Sequence, residues 1–381
     1  YPKLPHWTND HNYMFDSHTY GWDGWQMRYD SDLLPVRCQK SNTIDKKTVI
    51  DLSANGTANS YIVKPNKSYK FKATVKGNSN ETVGAGARIE CVYFTENKND
   101  YTWNGWSHGH MGGYDDRTVI YDVYYKDGYI YFSTSLDQVY GNAVIGIADV
   151  HHRILWSWHI WSVDYDPNIE GGYNEVEWGD GTIKMMKMNL GALSNDTKNS
   201  TSLGLMYQWG RKDPFLCAVA HDSNTECGYL GNHGYVSYDS DQATISNSVI
   251  YSYKAMMGRE DGDWLSESNN ALWGDEKTMF DPCPLGWKVP SRPEWEGEKT
   301  FTGSFDNYGL TMNNIWYPAS GFRHFQSFNL NEVGKQGHYW YSTAKDDGTA
   351  YVFYFDDETI DVANKYDYKA QCNPVRCVKD E

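Results

Sequence analysis

A period of two runs through the first half of this chain. From Ser68 to Lys76 the side chains Tyr69, Phe71, Ala73 and Val75 alternate with Lys70, Lys72, Thr74 and Lys76. Successive side chains of an extended strand point to opposite faces, so the segment predicts a strand with one face buried and one in water. Val119 to Phe132 reads as a hairpin, because Asp127-Gly128 supplies the positive φ angles that a tight primed turn needs. Ala143 to Ala148 is short and almost wholly apolar, as a central strand is. Ile154 to Trp161 sets Ile154, Trp156, Trp158 and Ile160 against Leu155, Ser157, His159 and Trp161, so both of its faces are expected to be at least partly covered. Several strands spaced by turns over residues 41–165 predict a β-sandwich.

The second half is mixed. An acidic stretch from Asp164 to Asp180, with Pro167, Gly171 and Gly172, reads as a linker centred on residues 166–175. Beyond it, residues 176–381 predict an α+β domain. Its expected elements are a strand near Lys184–Met188, a helical pattern from Leu203 to Gly210, and strands at Ile315–Pro318, His338–Thr343, Ala350–Phe355 and Pro374–Lys379. Ser291-Arg292-Pro293-Glu294 forms a capping box that would start a short helix near Pro293. A long insertion between Cys217 and Phe280 is rich in Gly, Asn, Asp and Ser, and long loops of this kind are either functional or mobile. Residues 1–40 show no period and stay unassigned.

With 381 residues the chain has room for two or three domains and for sizeable buried cores. Its net charge of -16 argues against nucleic acid and anionic membrane surfaces as partners, since both attract Lys and Arg. No apolar run is long enough for a transmembrane helix, so no direct membrane insertion is expected. Position 1 is Tyr, and the chain is expected to be a mature or trimmed form. Sixteen Trp and 31 Tyr among many short turns suit an extracellular β-rich protein. Such rings either fill strands, where they are favoured, or stack on sugar faces.

Six ordered blocks carry a resemblance. They are Asn189-Leu190-Gly191-Ala192, Gly204-Leu205-Met206-Tyr207-Gln208-Trp209-Gly210, Asp281-Pro282-Cys283-Pro284-Leu285-Gly286-Trp287, Trp316-Tyr317-Pro318-Ala319-Ser320-Gly321-Phe322-Arg323, His338-Tyr339-Trp340-Tyr341-Ser342-Thr343 and Val375-Arg376-Cys377-Val378. Together they resemble the Fibrobacter succinogenes major paralogous domain, which implies a C-type-lectin-like fold on a bacterial surface. The N-terminal wording Asp51-Leu52-Ser53-Ala54-Asn55-Gly56, Gly141-Asn142-Ala143-Val144-Ile145 and Leu155-Trp156-Ser157-Trp158-His159-Ile160-Trp161 is similar to that of fimbrillin-type surface proteins of Bacteroides. The two resemblances imply a non-catalytic fimbrial or cell-surface adhesin subunit. Its partners would be other surface subunits, with a glycan or a host or bacterial surface protein as ligand. The alternatives are a glycan-binding module of a polysaccharide-capture system, and a surface hydrolase, which would need two converging carboxylates.

The seven cysteines contain no Cys-x-x-Cys, and structural zinc is not expected. Disulfides in an oxidising compartment fit better. The resemblance implies Cys283 with Cys377. Cys217 with Cys227 and Cys38 with Cys91 are plausible further pairs that leave Cys372 over. The calcium-and-sugar wording of C-type lectins is missing, Asn373-Pro374 being its nearest approach. No metal and no cofactor are expected, although Glu260-Asp261-Gly262-Asp263 and Asp239-Ser240-Asp241 remain open as cation sites beside the reading as solvated acidic turns. His108, His110, His151 and His152 give no convincing metal set. Formylglycine-generating enzymes share this broad fold, but Gly321-Phe322-Arg323-His324 departs from their terminal segment and no activated thiol is evident. No enzyme is therefore expected. If a ligand binds, the expected contacts are Trp264, Trp273, Trp316, Tyr339 and Trp340, with Trp287 and Trp295 serving the core.

Overall fold

The computed structural model describes residues 48–86, 88–94, 119–135, 140–225, 235–236, 241–293 and 301–381, together with three short paired strands at His6–Trp7, Tyr13–Phe15 and Trp25–Met27. The described chain is β-rich. Its helices are a short α-helix at Ile245–Ile250 and a 3-10 turn at Ser200–Leu203.

Residues 48–163 form two four-stranded sheets. One has the order Val49–Asp51, Ser68–Lys72, Tyr129–Thr134, Ile120–Lys126; the other has the order Ser60–Val63, Ile154–Ser162, Gly141–Ala148, Arg88–Phe94. The alternating strand lies where its pattern requires, with Tyr69 and Phe71 buried and Lys72 exposed. Asp127 and Gly128 close the hairpin at φ 51° and 84°. Phe71 joins the sheets, its ring 4.9 Å from Tyr61 and 5.2 Å from Trp158. As expected of a central strand, Gly141–Ala148 is buried throughout and pairs on both sides.

The Ile154–Ser162 strand is covered on both faces, and its second face meets the C-terminal half. From that face Trp161 Nε1 donates to Ala192 O at 2.8 Å, and from the first face Trp156 packs 5.6 Å from Phe280. Ser157 Oγ donates to Asp213 Oδ1 at 2.6 Å, beside a buried Lys212–Asp213 ion pair at 2.7 Å. His159 lies fully inside. Asn142 Nδ2 donates to Gly191 O at 2.8 Å, which leaves its Oδ1 to accept from His159 Nε2 at 2.8 Å. Nδ1 then accepts from Ser60 Oγ at 3.1 Å. The imidazole is neutral and satisfied, and burial lowers its pKa to about 3. One hydrophobic cluster runs from Tyr61 through Trp158 and Trp209 to Cys377, so the core does not stop at the junction.

The C-terminal half begins slightly before the expected boundary, with the hairpin Tyr173–Trp178 and Gly181–Met186. Its second strand pairs with the last strand, Val378–Lys379, which also pairs with Trp287–Lys288. A disulfide between Cys283 and Cys377, with Cα atoms 6.0 Å apart, ties the same corner. A second sheet has the order Met206–Gln208, Cys372–Pro374, Phe322–Arg323, Leu330–Asn331. A third is built on Gly337–Ala344 and Thr349–Phe355, with Ile360–Asp361 and Tyr366–Tyr368 both pairing the latter. The meander Ser304–Asp306, Gly309–Met312, Ile315–Pro318 turns through Asn313 and Asn314, both at positive φ.

Two expectations are corrected here, and a third falls partly outside the described residues. Leu203–Gly210 is not an α-helix: Leu203 ends the 3-10 turn, and Met206–Gln208 is a strand paired with Cys372–Pro374. It is buried on both sides, and such a run loses the alternation that distinguishes strand from helix. Cys217 does not pair with Cys227; it is a buried free thiol whose Sγ donates to Ser320 O at 3.7 Å. Ser291–Pro293 is irregular, and the rest of the helix expected from Pro293 falls outside the described residues, as do Cys38 and Cys227.

The disulfide closes a loop of 94 residues. Replacing both Cys283 and Cys377 by Ser is expected to cost ~4–5 kcal/mol on the chain-entropy account, read from denaturant unfolding. His159 gives a pH dependence of known sign. Its unfolded pKa is near 6.5 and its folded pKa about 3, so its contribution is complete above 6.5 and is lost as pH falls toward 3. Over that window the wild type should lose ~1.4 kcal/mol per pH unit more than His159→Gln does, measured as unfolding free energy against pH.

Candidate functional site

The aromatic residues expected to meet a ligand are mostly core residues. Trp264, Trp273, Tyr339 and Trp340 are buried, and each polar handle is used inside. Trp264 Nε1 donates to Trp209 O at 2.8 Å, Trp273 Nε1 to Phe280 O at 2.9 Å, and Trp340 Nε1 to Tyr207 O at 2.7 Å. Tyr339 Oη donates to Pro318 O at 2.8 Å. Trp316 is half-buried and stands edge-on to His221 at 5.8 Å. These rings are not assembled into a surface, and a sugar could reach the four buried ones only by unpacking the core. Trp287 is buried too, while Trp295 lies outside the described residues.

The long insertion does hold an open cleft, on side chains other than those five. It has a volume of about 500 Å³ and is lined by Gly258, Arg259, Glu260, Asp261 and Gln326. A tight turn shapes it: Gly262 N donates to Arg259 O at 3.0 Å and Arg259 N to Asp263 O at 2.8 Å. Gly262 sits at φ 94°, and a Cβ there would lie 2.0 Å from the Tyr368 ring, so glycine lets that ring close against the turn. Tyr368 packs on Phe325 at 4.6 Å and remains 41% exposed. Two residues back on the same strand face, Tyr366 is 49% exposed, with Lys345 Nζ 3.8 Å from its ring centre.

Polar groups in the cleft are held in place from behind. Arg259 Nη1 donates to Leu265 O at 3.0 Å and Ser266 O at 2.7 Å, while its Nη2 pairs with Asp261 at 3.0 Å. The guanidinium is thus oriented by backbone, with one flank on a half-exposed carboxylate. Gln326 Nε2 reaches Gly258 O at 3.5 Å. Under the turn, Asp263 is buried and accepts from Leu265 N at 3.0 Å and Ser268 Oγ at 2.6 Å. Burial raises its pKa above the ordinary carboxylate value, and those hydrogen bonds and Lys369 pull it back. Lys369 donates to Asp347 O at 2.9 Å and to Asn270 Oδ1, over the Trp209 ring at 4.8 Å.

The acidic segment Glu260-Asp261-Gly262-Asp263 is therefore divided. Asp261 faces water beside Arg259, and Asp263 braces the turn. No group of three or more His, Cys, Asp or Glu side chains with metal-binding geometry occurs among the described residues. The described thiols are poor nucleophiles: burial pushes Cys217 up to about 11 and Cys372 up to about 12. Arg323, in the segment compared with formylglycine-generating enzymes, is buried and donates through Nε and Nη2 to Leu216 O and through Nη1 to Phe328 O. No protein family, curated protein or solved structure matches the chain.

Sequence reasoning singled out the insertion but missed Arg259, Phe325, Gln326 and Tyr368. The available signal was Tyr366-Asp367-Tyr368, whose alternation places two rings on one face of an edge strand. The assignment of Trp273 to the core has a direct check. Trp273→Ala should lower the unfolding free energy by ~3–5 kcal/mol in denaturant titrations, the cost of emptying a packed site.

Proposed function

We propose that this chain is a non-catalytic cell-surface or fimbrial adhesin subunit whose C-terminal part, lectin-like in fold, takes a glycan in the cleft beside Tyr368. The observation that carries the reading is an open polar cleft with an exposed ring packed against the turn beside it. An exposed ring flanks an oriented guanidinium, two carboxylates and an amide, and a pyranose needs both an apolar face and a fence of donors and acceptors. The six ordered sequence blocks support the lectin-like assignment. The facing sheets of residues 48–163 support a fimbrillin-like sandwich that joins or extends an assembly. A disulfide fits an oxidising, extracellular compartment. The rest is analogy, because a fold hosts many functions and the site must carry the argument.

A broad glycan array, probed with calcium and again with EDTA, tests the reading. Binding is expected in both conditions, since the cleft offers only two carboxylates, one of them paired with Arg259. Tyr368→Ala and Gln326→Ala should each weaken it at least tenfold while leaving the unfolding midpoint in place. An array blank in both conditions, or binding indifferent to Tyr368→Ala, overturns the lectin assignment.

A further inference from the structure

A further set of exposed rings and charged groups lies in the N-terminal half. The sheet containing Ser68–Lys72 turns Tyr69, Phe71, Ile130 and Phe132 into the core, so its other face looks outward. Cross-strand register builds that outer face in two rows. Lys72, Tyr129 and Lys126 lie side by side, and Lys70, Tyr131 and Tyr124 lie next to them. Tyr124 and Tyr131 stack in parallel, centroids 4.9 Å apart with 1° between planes, and Tyr124 is 48% exposed. Lys70 Nζ stands 4.6 Å over the Tyr129 ring and 3.5 Å from Asp51, the acidic residue that register places in these rows. Lys72 and Lys126 are exposed and have no ion-pair partner among the described residues.

The chemistry of this face runs against that of the chain. In a protein of net charge -16, two adjacent register rows hold three lysines against one aspartate, interleaved with three tyrosines. Charge of this sign seeks an anion, and the rings seek an apolar face to stack on. Acidic sugars supply both, with C–H faces on each ring and a carboxylate or sulfate at intervals. Nucleic acid fits less well. Two or three phosphate contacts release few counterions, and the surrounding negative field repels a dense polyanion. We infer that the Tyr124–Tyr131–Tyr129 face, with Lys70, Lys72 and Lys126, binds an acidic oligosaccharide, carboxylated or sulfated. The site is separate from the cleft beside Tyr368 and does not depend on it.

Calorimetric titration of the purified chain with four probes tests this: oligogalacturonate, a chondroitin sulfate hexasaccharide, cellohexaose, and a single-stranded oligonucleotide of equal charge. One or both acidic saccharides should bind; oligogalacturonate carries carboxylate alone and chondroitin sulfate carries both groups, so binding of the second only assigns the sulfate. Tyr124→Ala and the double change Lys72→Glu/Lys126→Glu should each weaken that binding at least tenfold. Raising the salt should weaken it too, because exposed charges are screened. Tyr368→Ala should leave it unchanged, so this surface and the cleft can fail separately. These substitutions lie on an exposed face, and an unchanged unfolding midpoint verifies the fold. Four outcomes overturn the inference: no acidic saccharide bound, cellohexaose bound equally well, the oligonucleotide bound as tightly or more so, or binding that survives both variants.

Discussion

The C-terminal half is organised around a cation buried away from the surface. Arg376 is buried, and burying an unpaired charge is prohibitive unless every donor finds a partner. Its Nε and Nη2 donate to Asn189 Oδ1 at 2.9 and 2.6 Å, and Nη1 donates to Trp316 O at 3.0 Å. The guanidinium lies over the rings of Tyr317 at 4.4 Å and Tyr339 at 5.7 Å. Asn189 is thereby fixed as an acceptor, and its Nδ2 donates to Leu203 O and to Tyr339 Oη. Cys377, the next residue, is bonded to Cys283, and its carbonyl accepts from Met186 N. All of these residues except Leu203 and Met186 belong to the ordered blocks of the sequence. Their wording is thus tied to one polar centre, where replacing any member leaves another unsatisfied.

The same logic joins the two halves. Ser60, His159 and Asn142 make a serine–imidazole–amide relay, yet all three are buried, and the relay ends on Gly191 O rather than on a substrate position. Lys212, Asp213 and Ser157 likewise form a buried set that bridges the Ile154–Ser162 strand to the C-terminal half. Groups that would suggest catalysis on a surface here satisfy one another across a junction. That network is why the core continues from one half into the other.

Legibility followed burial geometry. Strands with one wet face were readable, since alternation and the Asp127-Gly128 turn survive in the sequence. Among strands buried on both sides, Gly141–Ala148 and Ile154–Ser162 were readable, but the short Met206–Gln208 shows no alternation and reads equally well as helix. The Cys283–Cys377 pair came from resemblance, and spacing alone left the seven cysteines open. The cleft was half legible. Its place on the long insertion could be inferred from loop length, but Gln326, which completes its lining, and Tyr368, which packs against the turn beside it, are distant in sequence. No local pattern encodes such a meeting.

The burial of four of the five expected aromatic contacts has one physical cause. An indole has one donor and a large apolar body, so it is best placed inside with its N–H on a carbonyl. Eight tryptophans are among the largest fully buried side chains, and seven of them, all but Trp158, have a partner for that N–H. A phenol keeps its hydroxyl in water while its ring stays available. Five of the eight exposed large apolar side chains among the described residues are tyrosines, and none is a tryptophan. Among the described residues, tryptophan builds the interior and tyrosine supplies the exposed rings. Choosing ligand contacts by ring size therefore selects the core, whereas choosing them by whether the polar atom tolerates water selects the surface.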